Sequence, residues 1–132
     1  MIVFDASAVV SAALKIDSVP ELALLRAEEV DVFALSAAVD SEITEVLSRS
    51  KFKRAIPPAR RELVMAIFRD AALWYEPTVA ITDCRDSKDN KYLELALAAG
   101  AQSIVSSDDD LLVLHPWRGV SILCPADYLA LT

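Results

Sequence analysis

The sequence predicts an α/β domain built on a parallel sheet. Short apolar runs such as Met1–Phe4, Ser103–Val105 and Val120–Leu123 read as buried strands. Between them lie longer stretches whose apolar residues recur at helical spacing, and strands alternating with helices imply parallel pairing. A chain of 132 residues that is 55% apolar can bury a sizeable core and leaves little room for a second one. The expected organisation is one domain over residues 1–132.

Met1 to Phe4 is the first strand, and small residues from Ala6 to Leu14 form a helix that starts directly after Asp5. Pro20 suits the first turn of a second helix, to Glu29, and Val32 to Leu35 reads as strand. From Ala37 to Ser50, Val39, Ile43, Val46 and Leu47 mark one helical face. Pro57-Pro58 opens a helix to about Ala72, with Leu63, Val64, Ile67 and Phe68 apolar, and Leu73 to Tyr75 is strand ended by Pro77. Ser87 to Ala99 is a helix closed by Gly100 as its C-terminal cap. Ser103 to Val105 is strand, Asp109 to Leu114 a turn of helix, Val120 to Leu123 the last strand and Pro125 to Leu131 the last helix.

Several function classes are excluded early. The net charge of −7 argues against a protein that grips nucleic acid over its whole surface, while leaving room for local basic patches and for a metal among the acids. His115 is the only histidine, so histidine metal sites and His-dependent triads lack material. Gly100 and Gly119 stand alone, which removes GxGxxG and P-loop nucleotide cradles. Cys84 and Cys124 form no CxxC pair and read as reduced thiols of a cytoplasmic protein. The longest apolar run near the start, Ala8 to Leu14, is interrupted by Ser11 and follows no basic region, so neither a signal peptide nor a membrane span is expected.

The acids carry the chemistry. Ligands of open parallel sheets bind beyond the carboxyl ends of strands. Asp5 ends the first strand and Asp108 follows the strand Ser103–Val105, in a run of three aspartates. Each also suits a helix N-cap. In the helix from Ala37, Glu42 lies at the edge of the apolar face, and Asp40 flanks that face from the other side; the helical wheel leaves both open. Glu45 lies further round, with Arg49 four residues on as an ion-pair partner. Asp89 shares a stripe with Leu93 and Ala96, so it points where apolar residues point; support of a helix start is its alternative role, with Asp86 or Ser87 as the cap. Four or five carboxylates at one sheet edge repel one another and raise each other's pKa values. A hard divalent cation relieves this: oxygen ligands suit Mg²⁺ or Mn²⁺, and the lack of His and Cys ligands argues against zinc. Such clusters activate water and offset charge on a phosphodiester.

Four stretches resemble the PIN-domain ribonucleases: IVFDAS at the start, SEITEVLSRSKF from Ser41, DCRDSKDNKYLELALAAGAQSIVSSDDDLLVL from Asp83, and HPWRGVSILCPADYLA near the end. The similarity spans the chain and is greatest to the VapC-like toxin components of bacterial toxin–antitoxin systems. It implies a three-layer α/β/α sandwich with a mainly parallel central sheet and metal-dependent cleavage of RNA. It also implies a homodimer and inhibition by a cognate antitoxin protein. Carried over by position, the metal-binding and catalytic acids fall on Asp5, Glu42, Asp89 and Asp108, with Asp110 as an additional metal ligand and Ser7 and Ser106 as supporting hydroxyls. The resemblance thus selects Glu42 over Asp40 and Glu45. SSDDD stands where relatives often have Thr-Gly-Asp, and Ser50 where a proline is common.

A substrate-facing segment is also expected. SRSKFKRAIPPARR gathers six of the 13 basic residues without an acid, and Arg49, Lys51, Lys53 and Arg54 are its candidate RNA contacts. A plain solvated connection is the alternative, and Arg85, Lys88 and Lys91 read as balancing nearby acids. Two other function classes compete with the ribonuclease: a partner-binding module without nuclease activity, and phosphotransfer through Asp5. Phosphotransfer enzymes usually carry a second acid two residues on, where this chain has Ser7.

Overall fold

A computed structural model describes all residues 1–132. Five strands, β1 (Ile2–Phe4), β2 (Ala34–Leu35), β3 (Leu73–Trp74), β4 (Ser103–Val105) and β5 (Ser121–Leu123), all pair in parallel. β1 pairs with β4 and β4 with β5; β2 pairs with β3, and a parallel bridge from Ile2 to Phe33 joins the two groups. The strand order is therefore 3-2-1-4-5. The chain leaves β1 towards one edge, then returns to β1's other side for β4, so the order reverses between β1 and β4. That reversal opens a crevice beyond their carboxyl ends, where α/β proteins bind ligands.

Helices cover both faces, giving the three-layer α/β sandwich. They are α1 (Ala6–Leu14), α2 (Val19–Val30), α3 (Ala37–Leu47), α4 (Ser50–Ala55), α5 (Pro58–Ala71), α6 (Asn90–Ala99), α7 (Asp109–Leu112) and α8 (Pro125–Leu131). α6 lies against β1, β2 and β4, while α2 packs between α1 and α8. β1 is the centre of the core: Ile2, Val3 and Phe4 are buried on both faces, as expected of an inner parallel strand. Phe4 meets Phe33, Phe68 and Tyr128 edge-on, with ring centroids 5.6, 5.9 and 6.3 Å away. No helix is long and apolar enough to cross a membrane.

Most helix ends follow from local chemistry. Ser18 and Ser36 cap α2 and α3 through their hydroxyls, Pro58 opens α5, and Gly100 closes α6 in the left-handed region at φ 61°. Several boundaries shift by one or two residues from the sequence expectation, among them β2, which starts at Ala34 rather than Val32, and α7, which ends at Leu112 rather than Leu114. Two further differences bear on the site. The helix from Ala37 stops at Leu47 rather than Ser50, because Ser48 donates its hydroxyl to the Glu45 carbonyl and Arg49 turns extended (φ −62°, ψ 143°). The basic segment then forms a helix of its own, α4. Ser87–Asp89 is a tight 3₁₀ turn ahead of α6 rather than its first α-helical turn, with Asp86 accepting from the Lys88 amide at 3.1 Å.

Candidate metal centre

Asp5 is the first residue past β1, tied to β4 by its amide, which donates to the Val105 carbonyl at 3.0 Å. Its side chain caps α1, with Oδ1 accepting from the Ala8 amide at 2.9 Å. Two serines complete its shell. Ser7 donates to Oδ1 at 2.7 Å and accepts from the Ser107 amide at 3.0 Å. Ser106, fully buried, donates to Oδ2 and accepts from the Asp108 amide at 2.9 Å. Each hydroxyl thus ties the end of β1 to the end of β4, and both Asp5 oxygens are engaged. Burial pushes the Asp5 carboxyl up to about 6; the bonds from Ser106, Ser7 and Ala8 restrain that rise, and the Asp108 charge adds to it.

Asp108 caps α7, its Oδ1 accepting from the Asp110 amide at 2.9 Å. The N-cap role is thus real for Asp5 and Asp108, and it coexists with a place in the crevice. A cavity of about 470 Å³ is lined by Asp5, Glu42, Asp89 and Asp108 together, with Asp86 at its side and Tyr92 among its apolar walls. The Tyr92 hydroxyl accepts from the Ala6 amide at 3.1 Å, and burial with the nearby Glu42 and Asp5 charges raises its pKa far above the ordinary value.

Glu42 faces the cavity and forms an ion pair with Lys91 of α6. Its competitors turn elsewhere: Asp40 holds Arg69 at 2.8 Å and Glu45 holds Arg49 at 2.9 Å. The Glu45–Arg49 pair follows from the four-residue spacing, whereas Arg69 lies on another helix, information that a wheel does not contain.

Asp89 differs from the other acids. It is buried, it caps nothing although it stands directly before α6, and its Oδ2 has neither a hydrogen-bond partner nor, unlike Glu42 Oε2 beside Lys91, a cation. Burial pushes its carboxyl up to about 7, helped by the adjoining Asp108 carboxylate and by Asp86 and Asp5. An orphaned buried carboxylate oxygen is costly unless a cation or proton meets it.

Asp110 does not line the cavity with the other four acids. Arg85 holds it at 2.9 Å, and its carboxylate lies beside those of Asp86 and Asp89. One carboxylate oxygen from each of Asp86, Asp89 and Asp110 lies within 4.8 Å of the others, so this triad can hold a metal ion. Asp86 was missed as a candidate because its capping role already accounted for it; its signal was the three-residue spacing to Asp89, which a 3₁₀ turn stacks on one side. Asp86 and Asp89 are thus common to the cavity and to the triad. Both sets are all-oxygen, as a hard divalent cation requires. Cys84 adds no ligand: burial raises its thiol pKa, with the Asp89, Asp110 and Asp108 charges adding to the rise, and Sγ donates to the Asp110 carbonyl.

The basic segment divides. Arg49 and Lys51 line the cavity, the Lys51 ammonium lying 4.8 Å from the Phe52 ring centroid. Lys53 and Arg54 are exposed on α4 and do not reach the cavity. Arg60 is structural: it donates to the Ala12 and Ala13 carbonyls at the end of α1 and pairs with Glu21.

The family model described as "PIN domain" matches residues 1–110, most of the chain. No curated protein matches it closely enough to count as a relative.

Proposed function

Since this chain belongs to the PIN-domain family, a nuclease-type fold, we propose that it is a Mg²⁺- or Mn²⁺-dependent endoribonuclease and the toxin component of a toxin–antitoxin system. The observation that carries this reading is the buried, unpartnered Oδ2 of Asp89 in a cavity shared with Asp5, Glu42 and Asp108. Asp5, Glu42, Asp89 and Asp108 are the proposed catalytic and metal-holding acids, Asp110 would join them as a ligand through its triad with Asp86 and Asp89, and Ser7 and Ser106 are supporting residues. A bound divalent cation supplies Lewis-acid chemistry, polarising a phosphoryl oxygen and lowering the pKa of water.

The chain's own residues do the rest. Ser7 and Ser106 hold both Asp5 oxygens in place, so little ordering remains when substrate arrives. Arg49 and Lys51 stand at the rim of the acidic cavity, where they can take phosphates on either side of the bond to be cleaved, with Lys53 and Arg54 as outer contacts. Val10, Val46 and Tyr92 give the cavity apolar walls that thin the water around the carboxylates. Phosphotransfer through Asp5 fits less well, because both oxygens of this buried carboxylate are already hydrogen-bonded. The chain acts as one cytoplasmic domain over residues 1–132, as a homodimer held inactive by a cognate antitoxin.

The test is cleavage of single-stranded RNA by purified protein with millimolar Mg²⁺ or Mn²⁺, with EDTA, and with Asp89→Asn. Cleavage that needs metal and is lost in Asp89→Asn supports the reading. Cleavage unaffected by EDTA, or intact in Asp89→Asn, contradicts it.

A further inference from the structure

Glu42 is the wall between two cavities. Behind it, between α3 and α6, a cleft of about 560 Å³ is lined by Ser41, Glu42, Glu45, Arg49, Lys88 and Lys91. Glu42, Arg49 and Lys88 line both spaces, so the cleft opens directly from the acidic cavity. Its charge is of the opposite kind. Arg49 is held by Glu45 and Lys91 by Glu42, whereas Lys88 stands exposed on the 3₁₀ turn without a salt bridge, so the cleft carries one cation more than its two acids, Glu42 and Glu45. Glu45 grips both the Nε and Nη2 of Arg49 at 3.1 and 2.9 Å, which fixes that guanidinium at the junction of the two spaces. An acidic crevice that must receive a polyanion needs a cationic track leading out of it, because the substrate's other phosphates would otherwise lie against carboxylates.

The geometry points to the cleft between α3 and α6 as a phosphate subsite, in which Lys88, with Arg49 and Lys91 beside it, binds the backbone phosphodiester next to the one being cleaved. This rests on the ribonuclease reading and adds the exit path of the strand to it. Lys88 meets the phosphate as a point charge, while Arg49 orients it from the junction. Lys88 still balances nearby acids, as its sequence position implies: after the Arg49 guanidinium, its charge helps hold the Glu45 carboxyl below the ordinary value. No acid takes it into a salt bridge, however, and its ammonium stays available to a phosphate.

Anisotropy of a short fluorescent single-stranded RNA, read against salt in EDTA so that it is not cleaved, tests the subsite. The parent is Asp89→Asn, which also removes one repelling carboxylate; Lys88→Gln and Lys88→Arg are added to it. Lys88→Gln should weaken binding several-fold and reduce the slope of log affinity against log salt by about 0.7, one released counterion from a single strand. Lys88→Arg should restore most of both. In the chain with Asp89 intact, Lys88→Gln should leave the Mn²⁺-induced rise in Tm unchanged. An unchanged affinity and slope, or a weaker affinity at unchanged slope, overturns the subsite, since no phosphate charge contact was then lost. A changed Mn²⁺ response overturns it too, placing Lys88 with the metal centre. A parent that binds no RNA at low salt removes the ribonuclease reading itself, and the subsite with it.

Discussion

Ser106 shows how much of the site depends on single polar atoms. It is fully buried, and its hydroxyl satisfies Asp5 Oδ2 and the Asp108 amide at once. Ser106→Ala leaves both without a partner, so it should destabilise the metal-free chain at neutral pH by about 1–3 kcal/mol in urea unfolding. A loss below about 0.5 kcal/mol would mean the two strand ends are held by other means. The raised pKa values of Asp5 and Asp89 predict a pH dependence of known sign. Both groups bind a proton more tightly in the folded chain than in the unfolded one. Their stabilisation is therefore complete below about pH 4 and is lost as pH rises through about 6 for Asp5 and about 7 for Asp89. For Asp5 the loss is on the order of 3 kcal/mol. Saturating Mn²⁺ should reverse the slope, because it favours the ionised carboxylates. Urea midpoints at pH 5 and pH 7.5, with EDTA and with Mn²⁺, check this; parallel slopes in the two conditions contradict it.

At the scale of elements, α4 is where the substrate prediction belongs. Charge reversal at Lys51, Lys53 and Arg54 should weaken RNA binding and flatten its salt dependence. Lys51 alone should account for more of the loss than Lys53, since only Lys51 lines the cavity. Equal effects of the two single variants would return α4 to a diffuse surface patch. The sequence could not reveal α4 as a helix, because its break from α3 depends on one serine hydroxyl turning back on a carbonyl. α1 and β4, by contrast, were legible to the residue: Ala6–Leu14 and Ser103–Val105 have the expected ends, as apolar continuity and an Asp cap require, while the other strands are one or two residues shorter than expected. Asp5 and Asp108 could be placed by the rule for strand ends alone. Glu42 could not be separated from Asp40 by periodicity, since what separates them is Arg69 on α5, 29 residues away in sequence. The triad with Asp86 was hidden for a related reason: its capping role already accounted for it, and its approach to Asp110 depends on residues 24 positions apart in sequence.

For the whole molecule, the apolar edge of the sheet is where the proposed self-association would act. Leu73 and Trp74 are 51% and 52% exposed on β3, the outer strand of the sheet, whose free edge invites another chain or a covering segment. The proposed homodimer should appear by sedimentation at micromolar concentration, and Trp74→Arg should shift it towards monomer if this edge lies in the contact. A monomer in the parent chain counts against self-association. The surplus of acids that makes the chain anionic is also the source of its central property. In the crevice between β1 and β4 those acids are arranged so that folding alone leaves repulsion and an orphaned Asp89 oxygen, both of which the proposed divalent cation would relieve. Thermal melts of the parent chain and Asp89→Asn, each with EDTA and with millimolar Mn²⁺, measure this directly. In EDTA, Asp89→Asn should be as stable as the parent or more so, since a buried repelling charge is gone. Mn²⁺ at a hundred times its Kd should stabilise the parent by about 2.7 kcal/mol, a rise of roughly 10 °C, and the variant much less. If Asp89 only supports the start of α6, the variant should instead lose about 0.3–1 kcal/mol in EDTA and respond to Mn²⁺ as the parent does, and that pair of results would contradict the metal centre.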